Sequence, residues 1–224
     1  MQYRGTHYCA ASILNSKWLV TAAHCLTNKA QVCGTTLVAC SNAVAGTAST
    51  TQKRSIAHFK IHDLYTGGPA PYDIGLIYTE TAFTWSSAVA AVKLPSSGSK
   101  PKGTANLYGW GSTSTGKTPS YPSVLQVAAN LPILEHSVCD KALTQKGANL
   151  HDTNICTGPL NGGKGICTSD SGGPLVQGNV LVGIVSWGAQ PCGQANLPSV
   201  YVEVSAFIKW INSEQKHTKL SCKA

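Results

Sequence analysis

The sequence predicts an all-β fold, and three observations support this prediction. Charged residues make up only 12% of the 224 residues, whereas helical bundles usually carry many Glu and Lys on their wet surfaces. Short apolar and β-branched runs recur along the chain between turns rich in Gly, Pro and Ser, a spacing typical of sandwiches and barrels. Only one segment has the periodicity of an amphipathic helix.

The strand candidates are apolar runs bounded by turn residues. They are ASIL (11–14), WLVTAA (18–23), DIGLIY (73–78), LQVAANLPIL (125–134), PLVQGNVLVGIVSWG (174–188) and SVYVEV (199–204). Within the longest run, Gln177-Gly178-Asn179 predicts the turn of a hairpin. The Pro- and Gly-rich stretch 95–103 is the best linker candidate and divides the body near residue 100.

The helix candidate is the segment 204–216. Its apolar residues lie on one helical face, at Val204, Phe207, Ile208 and Ile211. Ser205 is the candidate for its N-cap. The basic run 216–224 that follows is expected to be a solvated tail.

The net charge predicts a basic secreted protein. It is +8, with a pI of about 9.0, but the 17 Lys and Arg are scattered, so we expect no nucleic-acid partner. No apolar run is long enough to span a membrane, and no nucleotide-binding or zinc spacing occurs. No loop has the acidic density that calcium requires. We therefore expect no membrane insertion, no metal and no cofactor.

The cysteine content indicates an oxidising compartment. Nine cysteines in a chain with one Met predict several disulfides and a secreted, extracellular protein. The odd count leaves at least one cysteine unpaired within the chain. No apolar leader follows Met1, so we expect a mature chain or a fragment.

Ser171 is the candidate nucleophile. It lies in TSDSGGPL, between Cys167 and an apolar strand. The two glycines after it permit a tight turn that exposes a hydroxyl and gathers amide N–H groups at one point. Acyl transfer needs this combination of a nucleophile and an oxyanion hole.

His24 and Asp73 are the candidate base and its orienting acid. His24 ends the run WLVTAA and precedes Cys25, whose disulfide would fix the backbone. Asp73 opens DIGLIY, where a carboxylate must be exposed or hydrogen-bonded. Taken singly, each has an ordinary structural explanation, as a surface histidine and a turn carboxylate. The order His24, Asp73, Ser171 along the chain strengthens the hypothesis that the three residues act together in catalysis.

Five blocks of the sequence resemble the chymotrypsin/trypsin family. VTAAHC, DIGL and SDSGGP match its three signature blocks, GWG (109–111) and SWG (186–188) match two more, and VSAFIKWI is similar to its closing helix. The resemblance implies two six-stranded antiparallel β-barrels with a C-terminal α-helix. The first barrel would cover about 1–98, and the second, with the helix, about 99–224.

The resemblance also implies a serine endopeptidase that needs no cofactor. Ser171 would attack the scissile carbonyl, His24 would accept its proton, and Asp73 would orient His24. The backbone N–H groups of Ser169 and Ser171 would bind the oxyanion. The substrate backbone would add as a strand along Ser186, Trp187 and Gly188. Proteins and peptides would be substrates, protein protease inhibitors would be further partners, and the enzyme would act as a monomer.

Three disulfides follow from the resemblance. The implied pairs are Cys9–Cys25, Cys139–Cys156 and Cys167–Cys192. Cys33, Cys40 and Cys222 match nothing in the family's common pattern, and a Cys33–Cys40 bond would leave Cys222 free.

The specificity pocket departs from that of trypsin-like enzymes. Gly165 stands at the pocket floor, where an Asp would bind Lys or Arg. Gly188 leaves the wall open, and Ser199 narrows the pocket slightly. We therefore expect large apolar or aromatic residues before the cleaved bond, with elastase-like or broad collagenolytic specificity as the competing hypothesis.

Two further departures bear on activity. The family usually has Gly where this chain has Ser169, and serine could distort the oxyanion hole. The family is also made as a zymogen, in which a new apolar N-terminus pairs with the acid before the nucleophile, here Asp170. No such start precedes Tyr3, so we expect the N-terminal activation segment to be missing from the sequence.

Two other functions stay open at this stage. One is a catalytically inactive homologue that binds a partner through the same cleft. The other is a basic surface that binds polyanions such as heparin. The intact triad residues favour the peptidase.

Overall fold

The computed structural model describes residues 1–216 and 220–222. Within these residues, most of the regular structure belongs to two antiparallel sheets. The first sheet is built from short strands near the start of the chain: β1 Gln2–Tyr3, β2 Thr6–His7, β3 Ser12–Ile13, β4 Trp18–Thr21, β5 Thr35–Ala39, β6 Gln52–Ile61 and β7 Gly75–Thr79. Their order is β2-β1-β5-β6-β7-β4-β3.

The second sheet follows the segment predicted as a linker. Its six strands are β8 Thr104–Gly109, β9 Gln126–Pro132, β10 Asn154–Thr157, β11 Pro174–Gln177, β12 Val180–Trp187 and β13 Ser199–Glu203. They are ordered β10-β13-β12-β11-β8-β9. The predicted hairpin is present, because β11 and β12 pair with Gln177 opposite Val180. A last short strand, β14 Leu220–Ser221, pairs with β6 and gives the first sheet an eighth strand.

Three short α-helices accompany the sheets in the part of the chain that the structure describes. They are α1 Lys29–Cys33, α2 His136–Thr144 and α3 Ile208–Glu214. The prediction of an all-β body with a C-terminal helix is confirmed. The first sheet has more strands than the six expected, because the two-residue strands β1, β2, β3 and β14 extend it. None of the helices in the described residues is long and apolar enough to cross a membrane.

The C-terminal helix begins differently from the prediction. Residues Val204–Phe207 form a 3₁₀ turn before α3. Ser205 is buried inside this turn, and its hydroxyl has no hydrogen-bond partner, so the prediction that it caps the helix is wrong. The apolar face packs as expected, since Phe207 and Ile211 are buried.

The prediction of a solvated tail is wrong for residues 220–222, because Leu220 and Ser221 pair with a strand of the first sheet and Cys222 is disulfide-bonded. Residues 217–219, 223 and 224 of that tail lie outside the described residues.

One apolar cluster joins the two sheets and the helix. Ile74 and Leu76 of the first sheet, Ile184 of the second and Ile211 of α3 are all fully buried in it. Burying each such side chain contributes about 1.5–3 kcal/mol. The two sheets are thus held together by a shared core, and residues at their junction are held in fixed relative positions.

The structure contains the three disulfides that the resemblance implies, Cys9–Cys25, Cys139–Cys156 and Cys167–Cys192. The Cys33–Cys40 pairing is wrong, because Cys33 bonds to Cys222 and Cys40 is free. Strand β5 separates Cys33 from Cys40 by more than about 10 Å, beyond the ~7 Å that a disulfide can span. The Cys222 amide bonds to the carbonyl of Ala57 and so holds Cys222 beside the first sheet.

Removing the Cys33–Cys222 bond should destabilise the protein. The bond closes a loop with a sequence separation of 189 residues, and cross-links of long loops restrict the unfolded chain most strongly. We expect the variant Cys33→Ser/Cys222→Ser to lose about 2–4 kcal/mol of unfolding free energy in guanidinium titrations without reductant. Cys40→Ser is the control and should change the midpoint little. An unchanged midpoint in the double variant would contradict this pairing.

Candidate active site

Asp73 is a buried carboxylate with three hydrogen bonds. It is 1% exposed, and its oxygens accept from the His24 backbone N–H at 2.8 Å, from His24 Nδ1 at 2.7 Å and from Ser186 Oγ at 2.7 Å. A buried carboxylate is tolerated only with such partners. Because the carboxylate accepts, Nδ1 carries the proton, and Nε2 of the neutral ring is left to accept one.

Strand pairing brings His24 and Asp73 together. His24 lies in a short 3₁₀ turn just after β4, and Asp73 lies just before β7. These strands are antiparallel neighbours with Thr21 opposite Gly75. The Cys9–Cys25 disulfide holds the residue after His24. The structure therefore places His24 and Asp73 side by side, as the sequence predicts.

Ser171 lies on a tight turn between the two sheets. Its carbonyl accepts from the Ala10 N–H at 2.8 Å. Gly172 has φ +75°, and a Cβ there would lie 2.1 Å from Thr21 Oγ1 and 2.4 Å from the Ala10 carbonyl oxygen. Only glycine fits this position, both for its backbone conformation and for its space. The glycine after Ser171 therefore permits close contact with the first sheet.

A cleft of about 500 Å³ contains most of the predicted residues. Its lining includes His24, Ser169, Ser171, Ser186, Trp187 and Gly188. The three last residues belong to the end of β12 and the loop after it. His24 and Ser171 thus face one cleft, with Asp73 buried behind His24.

The backbone of Ser169 adopts a conformation that favours glycine. Its φ is +73°, in the left-handed region that costs an L-residue about 1–2 kcal/mol. Its carbonyl oxygen accepts a hydrogen bond from His7 Nε2 at 3.0 Å. The serine is thus accommodated in the turn with local strain.

Asp170 is buried beside the GWG block. Its carboxylate accepts from the Gly111 N–H at 2.9 Å and from the Cys167 N–H at 3.0 Å. A Cβ on Gly109 or Gly111 would lie within 2.4 Å of the carboxyl group, which explains both glycines of the block. Burial raises the pKa of Asp170 to about 6, although the two N–H groups lower it. No protein cation offsets this burial among the described contacts of the carboxylate.

The structure places Gly165 and Ser199 outside the lining of the cleft. Gly165 lines a neighbouring cavity of about 220 Å³ with Asp170. Ser199 is 8% exposed, and its hydroxyl accepts from the Ile166 N–H at 3.0 Å. A Cβ on Gly165 would lie 2.5 Å from Ser199 Oγ. Ile166, the residue after Gly165, does line the cleft.

Sequence reasoning missed three features of the cleft. Ile166 forms an apolar wall, and its position next to Gly165 was the available signal. Ser186 was assigned only a backbone role, but its hydroxyl donates to Asp73. His7 was assigned no role from the sequence, yet it lines the cleft and contacts Ser169. Nothing local in the sequence indicates that contact.

One group of potential metal ligands occurs among the described residues. Cys9, His24 and Cys25 have their side-chain donor atoms within 4.8 Å of one another. The two sulfurs are bonded to each other, so neither offers the thiolate that binds metals.

Comparison with known proteins gives one consistent result. Residues 1–211 match the model of the Trypsin family. Lectizyme of Glossina austeni is 37% identical over 225 residues, covering 92% of this chain and 76% of that protein. Trypsin delta of Drosophila melanogaster is 37% identical, covering 95% and 81%. Trypsin of Sus scrofa is 36% identical, covering 92% and 85%.

The raised pKa of Asp170 predicts a pH-dependent stability. Between the unfolded value of 3.8 and the folded value of about 6, only the folded chain holds this proton. The stabilisation is complete below the unfolded pKa and is lost as the pH rises through about 6. Relative to Asp170→Asn, the wild type should lose about 2–3 kcal/mol of stability between about pH 4 and pH 7.

Denaturant titrations at both pH values measure this difference. Asp152→Asn is the control, because the Asp152 side chain is 98% exposed. It should leave the pH dependence of the wild type unchanged. Equal pH dependence in the wild type and Asp170→Asn would rule out the burial effect.

Proposed function

Because the chain belongs to the trypsin family and is a serine endopeptidase, we propose that it cleaves peptide bonds through an acyl-enzyme on Ser171. His24 is the general base and Asp73 orients it. One observation carries this assignment: Asp73 bonds both the backbone N–H and Nδ1 of His24, which lines one cleft with Ser171. That arrangement leaves Nε2 to accept a proton on the cleft side.

The reaction uses two proton transfers at the same nitrogen. Ser171 Oγ forms a bond to the scissile carbonyl carbon while its proton moves to His24 Nε2. The C–N bond then breaks, and Nε2 returns the proton to the leaving amine. A water molecule repeats the sequence on the ester and releases the acid. Asp73 stabilises the imidazolium present between the transfers.

Ser186 supports the same step from the second sheet. Its O–H donates to Asp73 Oδ2, the oxygen that also accepts from His24 Nδ1. This bond helps to fix the direction of the carboxylate. Ser186 is thus a positioning residue for the acid, in addition to its place beside the substrate.

The oxyanion and the substrate backbone have separate binding groups. The N–H groups of Ser169 and Ser171 bind the developing oxyanion, and removing one such donor costs about 10²–10³ in turnover. Ser186 and Trp187 end β12, Gly188 follows them, and all three line the cleft, so an extended peptide adds there as a strand.

Asp170 is the acid that takes the ammonium of an activated N-terminus. The carboxylate of Asp170 is buried and its pKa is raised to about 6. A cation beside it would offset the cost of that burial, and this supports the assignment.

We also propose an extracellular setting, because four disulfides form. The enzyme acts as a monomer on protein substrates, and protein protease inhibitors are its natural ligands.

The cleft favours large apolar residues before the cleaved bond. Ile166 gives it an apolar wall, and a Cβ on Gly188 would lie 3.1 Å from the Ile166 side chain. The glycine therefore leaves open space beside an apolar surface. Gly165 supplies no carboxylate for Lys or Arg, and Ser199 is uncharged. An uncompensated cation in such a pocket is costly.

Covalent labelling tests the nucleophile. A fluorophosphonate probe should modify Ser171 in the wild type, located by peptide mapping, and should not label Ser171→Ala. Asp73→Asn should lower kcat by about 10²–10⁴-fold, because His24 loses the acceptor that fixes its tautomer. An unlabelled Ser171 would favour a catalytically inactive binding protein. Ser137→Ala, in an exposed position on α2, is the matched control for labelling.

Peptide substrates that differ only before the cleaved bond test the specificity. Phe should exceed Arg in kcat/KM by at least about 10²-fold, because the pocket lacks a counter-ion. Ile166→Ala should lower kcat/KM for Phe by about tenfold through lost apolar contact. Ile155→Ala truncates an isoleucine outside the cleft and serves as the control. A preference for Arg would overturn the assignment, and one for Val would favour the elastase-like alternative.

A further inference from the structure

Ser169 has a positive φ, which is unfavourable for a residue with a Cβ atom. A serine at φ +73° is strained, whereas glycine takes this region as readily as its mirror image. Strained residues persist only where their surroundings determine the conformation. The contacts of Ser169 should therefore include the groups that hold it.

The peptide that follows Ser169 is bonded at both ends. The Ser169 carbonyl oxygen accepts from His7 Nε2 at 3.0 Å. The Asp170 N–H of the same peptide donates to the Cys167 carbonyl oxygen at 3.1 Å. The second bond is local and could form in other turn conformations, but the first comes from a residue 162 positions away. His7 is thus the long-range anchor of this peptide.

His7 is suited to a donor role at this position. A carbonyl oxygen can only accept, so Nε2 carries the ring proton in the neutral imidazole. Burial lowers the pKa of His7 to about 4, and the ring is therefore neutral at ordinary pH. One tautomer thus presents a fixed N–H to Ser169.

The His7 ring is itself held in place. Strand β2 pairs with β1, with His7 opposite Gln2, and the ring packs edge-on against Trp110 at 5.8 Å. Trp110 in turn donates from Nε1 to the Asn42 carbonyl oxygen at 2.9 Å. The His7 side chain is therefore held by contacts of the first sheet and reaches the turn that contains Ser169 and Ser171.

We infer that His7 is a positioning residue for the oxyanion hole: its Nε2–H holds the Ser169 carbonyl and keeps this serine in the left-handed conformation that orients its own N–H. The inference rests on the proposed function for the role of that N–H. Its conformational part, that His7 keeps φ of Ser169 positive, stands independently of activity.

A double-mutant cycle with His7→Leu and Ser169→Gly tests the inference. In the serine background, loss of the donor should let residue 169 relax to negative φ, so kcat should fall by about tenfold, with KM changed less than about twofold. In the glycine background the positive φ has no steric penalty. There His7→Leu should lower kcat by less than about threefold.

Rescue and control variants separate positioning from general packing. His7→Gln keeps an N–H donor on a side chain of similar reach and should recover most of kcat. His136→Leu makes the same change at a side chain that is 47% exposed and outside the cleft, and it should leave kcat unchanged. A purely structural role for His7 would produce equal losses in both backgrounds.

Crystal structures of the four proteins in the cycle give a readout that does not depend on activity. We expect positive φ at residue 169 in the wild type and in both glycine proteins, and negative φ in His7→Leu alone. Positive φ in His7→Leu, or equal kcat losses in both backgrounds, would overturn the inference. An inactive wild type would defeat the proposed function, while the φ of residue 169 would still decide the anchoring role of His7.

Discussion

The buried carboxylate of Asp73 is the constraint on which the site and the packing of the sheets both depend. A carboxyl group at 1% exposure is destabilising unless its oxygens are hydrogen-bonded. Two of its three donors belong to His24, which lies in the turn after β4 of the first sheet. The third belongs to Ser186 of the second sheet. The carboxylate has all three bonds only when both sheets are in place, so forming the fold also brings His24 and Asp73 together.

The apolar core makes that arrangement rigid. One cluster contains side chains from both sheets and α3, and close-packed interiors resist small displacements. The polar groups of the cleft lie at the edge of this cluster, on turns that leave the strands. Ser171 has its backbone bonded to Ala10, and Gly172 has its backbone bonded to Val185. The nucleophile turn is therefore attached to both sheets, although its sequence belongs to the second.

The sequence was most informative where its signals are local. Apolar runs and turn residues predicted the hairpin at 177–179, the C-terminal helix and about half of the strands, but β5, β6, β8 and β10 lie outside the predicted runs. The signature blocks identified residues that meet in the cleft. The Cys33–Cys222 bond joins positions 189 apart, and the His7–Ser169 contact joins positions 162 apart. No periodic pattern in a sequence predicts contacts between residues so far apart. The apolar wall at Ile166 also depends on the orientation of a loop residue, and the backbone N–H of this residue is bonded to the distant Ser199 hydroxyl.

Ser169 illustrates how tertiary contacts override a local preference. Read alone, serine in place of glycine argues for a distorted oxyanion hole, because the required φ is unfavourable for a side chain with Cβ. The next residue, Asp170, is fixed by N–H groups of Gly111 and Cys167, and the carbonyl of Ser169 is fixed by His7. With its following peptide held at several points, the serine has little freedom to relax. The free-energy cost of about 1–2 kcal/mol is comparable to one of these bonds, because a bond between neutral groups contributes about 0.5–1.5 kcal/mol and one to a charged group about 1.5–3 kcal/mol. Several such bonds together can offset the cost. The departure from glycine is therefore compatible with a formed site, and its effect on the reaction depends on neighbours far away in the sequence.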